Sequence, residues 1–501
     1  MSVKGVLSRT LLVVGVAGAT TVPAATPGEA DAQEPRPVLS LRAPSTVVHL
    51  ERFEGRVSLD LGVLTVAGDE PFEIRLSRQS YADPIVATWL RGDDRVTLSG
   101  LDLANFGGLP GFYRVVVRRP DGTVVARSRL PFCPSGGVRM RADAPAHSPY
   151  PRWSGCPWNP YTLGSVAGIQ AGWGVGDDEF GLGFGVPTVR LAEGRYTATM
   201  WITRPYRQLF GLRLADVRAT VRVRVADGED CIECEPVPIG GDASALPQPS
   251  ATEPGRGTVI PDAAPMPDLR SLPAFEIGIN RRRATGREYL TFAANVWNAG
   301  ESPLVVDGFR RDREAVMDAY QYFFDSAGNQ VGYAPTGTMG WDARDGHRHW
   351  HFKDFARYRL LDSTKRSVVR SRKEAFCLAN TDAVDYTVPG ANWNPEGTDL
   401  HTACGDAGSL TVREVLDSGS GDTYFQFLPG QSFNITSLPN GVYYIEITAN
   451  PARRLHESNL ANNVSYRRLR LRGTPGHRTV RPAQVGIVEE DFGSDGGLRT
   501  E

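Results

Sequence analysis

His347, His349 and His351 occupy alternate positions of Asp345-Gly-His-Arg-His-Trp-His-Phe352, so three of the chain's eight histidines fall within five residues. The run reads as a β-strand, and a strand sends alternate side chains to one face. The three imidazoles then project together while Arg348 and Trp350 point the other way. Neutral imidazoles converging on one surface suit a borderline-soft ion such as copper, zinc, iron or nickel. On a straight strand the outer two Cα atoms lie about 13 Å apart. His347 and His351 would approach an ion from opposite sides, with His349 between them. Such a T fits tetragonal Cu(II) better than tetrahedral Zn(II), unless the strand bends. The two-histidine, one-carboxylate iron site lacks its carboxylate here, and no His-Glu-x-x-His occurs.

The elements that must position this run are strands. With 54 glycines, 36 prolines and 6 methionines in 501 residues, long helical patterns are scarce. The composition and patterning predict an all-β protein. Residues 33–234 form a β-rich, sandwich-like N-terminal region with Val221-Arg-Val-Arg-Val225 as a period-two run. A hairpin is expected there around Pro120-Asp-Gly122. Residues 235–265 are a Pro-, Gly- and Ala-rich linker, extended and not expected to pack. A second β-rich domain covers 266–473, with strands at Tyr289–Trp297, Tyr358–Asp362 and Val442–Thr448, the last launched by Asn440-Gly441. Residues 474–501 are a polar tail, expected to be loosely docked.

The first 32 residues read as an export signal. Lys4 and Arg9 precede the apolar run Leu11–Ala19, and small-residue cleavage sites follow near Ala24 and after Ala32. That run is too short to span a bilayer, so the mature chain is expected to be secreted, beginning near Gln33, with no stable membrane insertion. A formal net charge of −2 gives no support for nucleic-acid binding. Export places the six cysteines in an oxidising compartment. Pairing by proximity is the simplest connectivity: Cys133 with Cys156, Cys231 with Cys234, Cys377 with Cys404. Cys231-Ile-Glu-Cys234 reads as a structural disulfide. A zinc site would need a second Cys-x-x-Cys, and a redox motif a thioredoxin-like βαβ pattern.

From about Pro267 to Leu471 the chain resembles the lysyl oxidase family. The resemblance rests on an ordered set of motifs: Pro267-Asp-Leu269, the histidine run, Asp354-Phe355, Tyr358 to Asp362, Lys373-Glu-Ala-Phe-Cys-Leu378, Asp422-Thr-Tyr424, Glu457-Ser458 and Asn462-Asn-Val464. It implies that His347, His349 and His351 bind Cu(2+), and that Lys373 and Tyr424 cross-link into lysine tyrosylquinone. The implied reaction converts a primary amine, including a lysine side chain in a protein substrate, to an aldehyde. O₂ is consumed, and ammonia and hydrogen peroxide are released. Without the resemblance, Lys373 is an ordinary solvated lysine and Tyr424 a packed strand-end aromatic. The chain departs from the animal pattern in two places. Arg344-Asp-Gly346 stands where an additional histidine and a cysteine are found, and Arg357 stands where a histidine is proposed as catalytic base. Arginine cannot accept a proton. Asp354 and Asp422 are candidate replacements because they adjoin the motifs, although a structural role is the plainer reading of each, and His401 is a further candidate. The alternative function is a non-catalytic metal-binding or adhesive extracellular β-protein, for which neither Lys373 nor Tyr424 would be needed.

Overall fold

The computed structural model of the protein describes residues 36–152, 155–176, 188–228, 253–255, 257–262, 264–282, 284–312, 314–344, 348–371, 375–394 and 400–490. Residues 1–32, Cys231, Cys234, His347 and Lys373 thus lie outside the described residues, and with them the export signal and one expected cysteine pair. The fold is all-β. Among the described residues the single helix is Arg204–Phe210, which has Pro205 in its first turn and stops at Gly211 in left-handed backbone (φ 66°). No helix there is long and apolar enough to cross a membrane.

The N-terminal half forms three sheets around one apolar core. The run Val221–Val225 lies in strand Arg218–Asp227, with its valines buried and its arginines exposed, as the period of two requires. Strands Leu109–Arg118 and Val124–Phe132 pair antiparallel across Pro120-Asp-Gly122, where Gly122 takes φ 87° to close the hairpin. Cys133 and Cys156 are bonded, with Cα atoms 6.0 Å apart.

The C-terminal half also has three sheets. The first is built on the long strand Arg287–Asn298, which pairs with Leu269–Ser271, Phe275–Arg282, Ser420–Tyr424 and Ser432–Asn434, with Asp382–Ala383 at the outer edge. The second runs Ala375–Phe376, His349–Lys353, Gln330–Asp342, Val316–Phe324, Leu304–Arg310, Thr411–Leu416. The third runs Ser367–Arg370, Ala356–Leu361, Gly441–Ala449, Val464–Arg472, Thr479–Pro482. Their inner faces meet in a core that includes Phe292, Trp350, Phe352, Tyr358, Phe376 and Phe433.

Two expectations change here. The linker does pack at its end, because Val259 bridges Tyr333 through two backbone hydrogen bonds of 2.8 and 2.9 Å. The tail is not loose up to residue 490, since Thr479–Pro482 extends the third sheet. The two halves also touch. Val384 accepts backbone hydrogen bonds from Leu163 and Gly164, and Tyr386 donates to Gly164. Tyr161 of the first half is buried in one cluster with Phe275, Trp297, Val384 and Val488. Residues 235–252, 256 and 263 of the expected linker lie outside the described residues, and composition does not record what the remainder lies against.

Candidate active site

Arg348 adopts left-handed backbone (φ 41°), and its N–H bonds back to the Arg344 carbonyl at 3.3 Å. The extended backbone is therefore broken at Arg348, just before strand His349–Lys353. The T-shaped arrangement deduced for a straight strand does not apply, and the preference for tetragonal copper drawn from span alone goes with it.

Within the strand the period of two holds. His349 and His351 share a face, with ring centroids 4.7 Å apart and edge to face. Trp350 is fully buried on the other side. Its N–H donates to the Cys404 carbonyl (2.9 Å), its Nε1 to the Asp406 carbonyl (2.8 Å), and the Arg310 guanidinium lies 5.3 Å over its ring. That anchoring decides which face the imidazoles present. On the neighbouring strand Asp342 stands opposite His349, with its Oδ2 3.5 Å from His351 Nδ1 and 2.5 Å from the Arg344 guanidinium. A carboxylate beside Nδ1 favours the tautomer whose Nε2 lone pair can take a metal.

Phe352 and Lys353 pair with Phe376 and Ala375, so the segment that follows Lys373 is hydrogen-bonded to the histidine strand. Tyr424 reaches the same segment from the first sheet. Its hydroxyl donates to the Cys377 carbonyl at 3.0 Å, and its ring meets the Phe376 ring edge to face at 4.8 Å. The disulfide Cys377–Cys404, closing 27 residues with Cα atoms 6.0 Å apart, ties this segment to the loop that holds Trp350. Burial pushes the Tyr424 phenol well above its ordinary range, with the Asp422 and Glu414 carboxyls adding to the effect. The unmodified side chain is therefore a neutral phenol at physiological pH.

Glu414 escaped sequence reasoning. It is fully buried, and its two oxygens accept the N–H groups of Phe352 (3.2 Å) and Leu378 (3.0 Å), fastening the histidine strand to the segment after Lys373. Burial holds its carboxyl well above the usual range. A signal was present: Glu414 occupies the inward register between Val412 and Leu416, where a strand of this core would carry an apolar side chain.

The carboxylates proposed as bases separate clearly. Asp354 is at a left-handed turn (φ 62°), partly exposed and paired with Arg454 at 3.2 Å. Asp422 is buried two positions before Tyr424 on strand Ser420–Tyr424, hence on the same face. His401 adjoins Thr402, whose hydroxyl bonds the Leu378 carbonyl at 2.6 Å. Arg357 is remote from this chemistry. Tyr358 is buried against Phe376 (6.0 Å), and Arg357, one residue earlier, points to the opposite face of its sheet. The position corresponding to the family's proposed base histidine thus faces away from Tyr424.

Elsewhere in this half, Glu457 accepts from the Asn450 and Asn463 amides (2.7 Å each) and from the Leu269 N–H (2.8 Å), and Asp268 accepts from Asn462 and Arg270. The first and last resemblance motifs therefore join in one buried polar network.

A lysyl oxidase family profile matches residues 324–479. Protein-lysine 6-oxidase of Sus scrofa is 32% identical over 135 residues, 26% of this chain and 48% of its own length. Protein-lysine 6-oxidase of Homo sapiens is 32% identical over 126 residues, 25% of this chain and 26% of its own length. Lysyl oxidase homolog 2 of Gallus gallus is 30% identical over 141 residues, 27% of this chain and 16% of its own length. The chain therefore matches less than half the length of each of these relatives. The profile covers the histidine strand, the segment around Cys377 and Tyr424 together, so it is the C-terminal region of the chain that is similar to the lysyl oxidase family.

Proposed function

We propose that the chain is a secreted copper- and quinone-dependent amine oxidase acting on primary amines, with lysine side chains of proteins as its substrate class. One observation carries the reading: the histidine strand, the segment following Lys373 and the Tyr424 ring meet at Phe376 and Cys377. The donor set fits copper, since two imidazoles share a face 4.7 Å apart and a carboxylate stands behind one of them. His347, His349 and His351 are the proposed ligands. A quinone made from Lys373 and Tyr424 would supply an electron-accepting carbonyl, and copper with O₂ its formation and reoxidation.

The chain's own groups supply the remainder. Asp342 orients His351. Phe376 and the Cys377 carbonyl fix the plane and hydroxyl of Tyr424. Asp422, on the same face as Tyr424, is the proposed acceptor of the substrate's α-proton; Asp354 is engaged with Arg454, and Arg357 faces elsewhere.

The test uses hydrogen peroxide release from a primary amine, phenylhydrazine labelling and copper analysis. Tyr424→Phe should abolish labelling and turnover while copper still binds. Lys373→Ala should lose the cross-linked peptide from digests. Asp422→Asn should keep the label but lower kcat about 100-fold or more, the usual scale of a lost general base. A Tyr424→Phe protein that still labels and turns over amine would remove the quinone assignment.

A further inference from the structure

The outer face of the third sheet carries a hollow of roughly 230 Å³ that the amine-oxidising site does not use. Strand register arranges its floor in two rows. One is Arg359, Glu446, Tyr466; the other is Arg357, Thr448, Val464. In the first row the sheet provides its own counter-charge. Arg359 donates two hydrogen bonds to Glu446, at 2.6 and 2.7 Å, and the Thr448 hydroxyl donates a third at 3.2 Å. Glu446 is thereby fully engaged. In the second row no carboxylate faces the guanidinium. Arg357 Nε is buried and makes no hydrogen bond, and Arg453 adds another guanidinium to the rim with no ion-pair partner among the described residues.

A buried donor on a permanent cation without an acceptor is costly, and native structures seldom leave one unfilled. The geometry asks for a planar oxyanion, which a guanidinium grips through two parallel N–H groups. The wall narrows the choice. Val464 and Tyr466 line the hollow with 41% and 44% of their surface exposed, offering apolar contact to the carbon atoms that carry the charge. A hydrated inorganic anion has no use for such a wall. We infer that the hollow is a docking site for the carboxylate side chain of an acidic peptide segment, held by Arg357 and Arg453 against Val464 and Tyr466.

The experiment uses the full mature chain and two fluorescent, end-blocked pentapeptides, Ala-Leu-Glu-Leu-Ala and its Gln counterpart, with inorganic phosphate as competitor. Anisotropy should show the Glu peptide binding at least about tenfold tighter than the Gln peptide, the scale of one charge-assisted bidentate contact. Added sodium chloride should weaken that preference. Arg357→Leu should erase it, and Arg357→Lys should restore it in part. Thermal unfolding of Arg357→Leu should be unchanged or raised, because the buried Nε has no hydrogen-bond partner to lose among the described residues; this separates lost binding from lost folding. Equal binding of both peptides, no binding of either, or full retention in Arg357→Leu overturns the proposal. Phosphate that binds more tightly than the Glu peptide would make this a free-oxyanion site and overturn the peptide assignment.

Discussion

Asp342 shows how much of a candidate metal centre can lie away from its proposed ligands. It sits on the strand beside the histidines, 3.5 Å from His351 Nδ1, with Arg344 on its far side. A carboxylate in that place raises the basicity of the ring and fixes its tautomer, and loss of such a partner lowers metal affinity by about 10–100-fold. Asp342→Ala should therefore weaken copper binding on that scale, read by competition with a chromogenic chelator. Its effect on thermal unfolding should be small, since the carboxylate's ion-pair partner Arg344 is exposed. Unchanged copper affinity would mean that His351 is oriented by something else. The sequence shows why one residue was found and the other missed. Alternation in one strand marks His349 and His351, whereas Asp342 owes its place to cross-strand register, which leaves no local pattern. Arg348 was missed for a related reason, because positive φ in an arginine has no compositional mark.

Strand Ser420–Tyr424 presents its two faces to different tasks. Asp422 and Tyr424 look toward the candidate chemistry, while Thr423 looks into a buried cluster. There the Thr423 hydroxyl donates to Asp382 and accepts from the Asn295 amide at 2.8 Å, and Asn159 of the N-terminal half donates to the same Asp382 oxygen at 3.4 Å. The approach is close. A Cβ on Gly421 would stand 2.5 Å from the Asn295 amide, so only glycine lets the strand lie there. Burial pushes the Asp382 carboxyl up to about 6, against the lowering pull of Thr423 and Asn159. The folded value exceeds the unfolded one, so folding takes up a proton. Stability from this group is complete below about pH 4 and is lost as pH rises through about 6. Asp382→Asn keeps the neutral form at every pH. Relative to wild type it should gain stability across that window, by roughly 3 kcal/mol at most. Urea unfolding at several pH values reads this directly, and parallel profiles for the two proteins would show that Asp382 does not titrate there. Strand existence was legible in this region from β-branched and aromatic composition. The edge strand Asp382–Ala383 was not, because two residues carry no period.

The whole molecule is held by a seam that the sequence did not announce. A proline- and glycine-rich stretch between two β-rich regions suggests separable domains, and that inference treats a linker's composition as a measure of the contacts around it. The contacts are made elsewhere. Gly164 bridges Asp385, Tyr150 and Val166 pack with Ala383 and Tyr386, and Tyr161 accepts from Arg467 at 2.8 Å while donating to Glu490 at 2.7 Å. Residues beyond 473 then return to the first half, where the Ile487 N–H meets the Tyr81 carbonyl at 2.8 Å. The Gly164, Tyr150 and Val166 contacts lie beside Asp382–Ala383, the outer strand of the sheet that carries Tyr424, while Arg467 belongs to the third sheet, so the N-terminal half braces both sheets. A fragment of residues 266–473 would expose Phe275, Trp297 and Val384 and lose the Arg467–Glu490 pair. It should precipitate, or unfold at a clearly lower temperature than the mature chain. A chain cut at a protease site introduced between residues 240 and 250 should instead elute as one species on gel filtration, because the seam and not the covalent connection joins the halves. Separation of the cut halves, together with a fragment 266–473 that melts like the intact protein, would restore the picture of two independent domains.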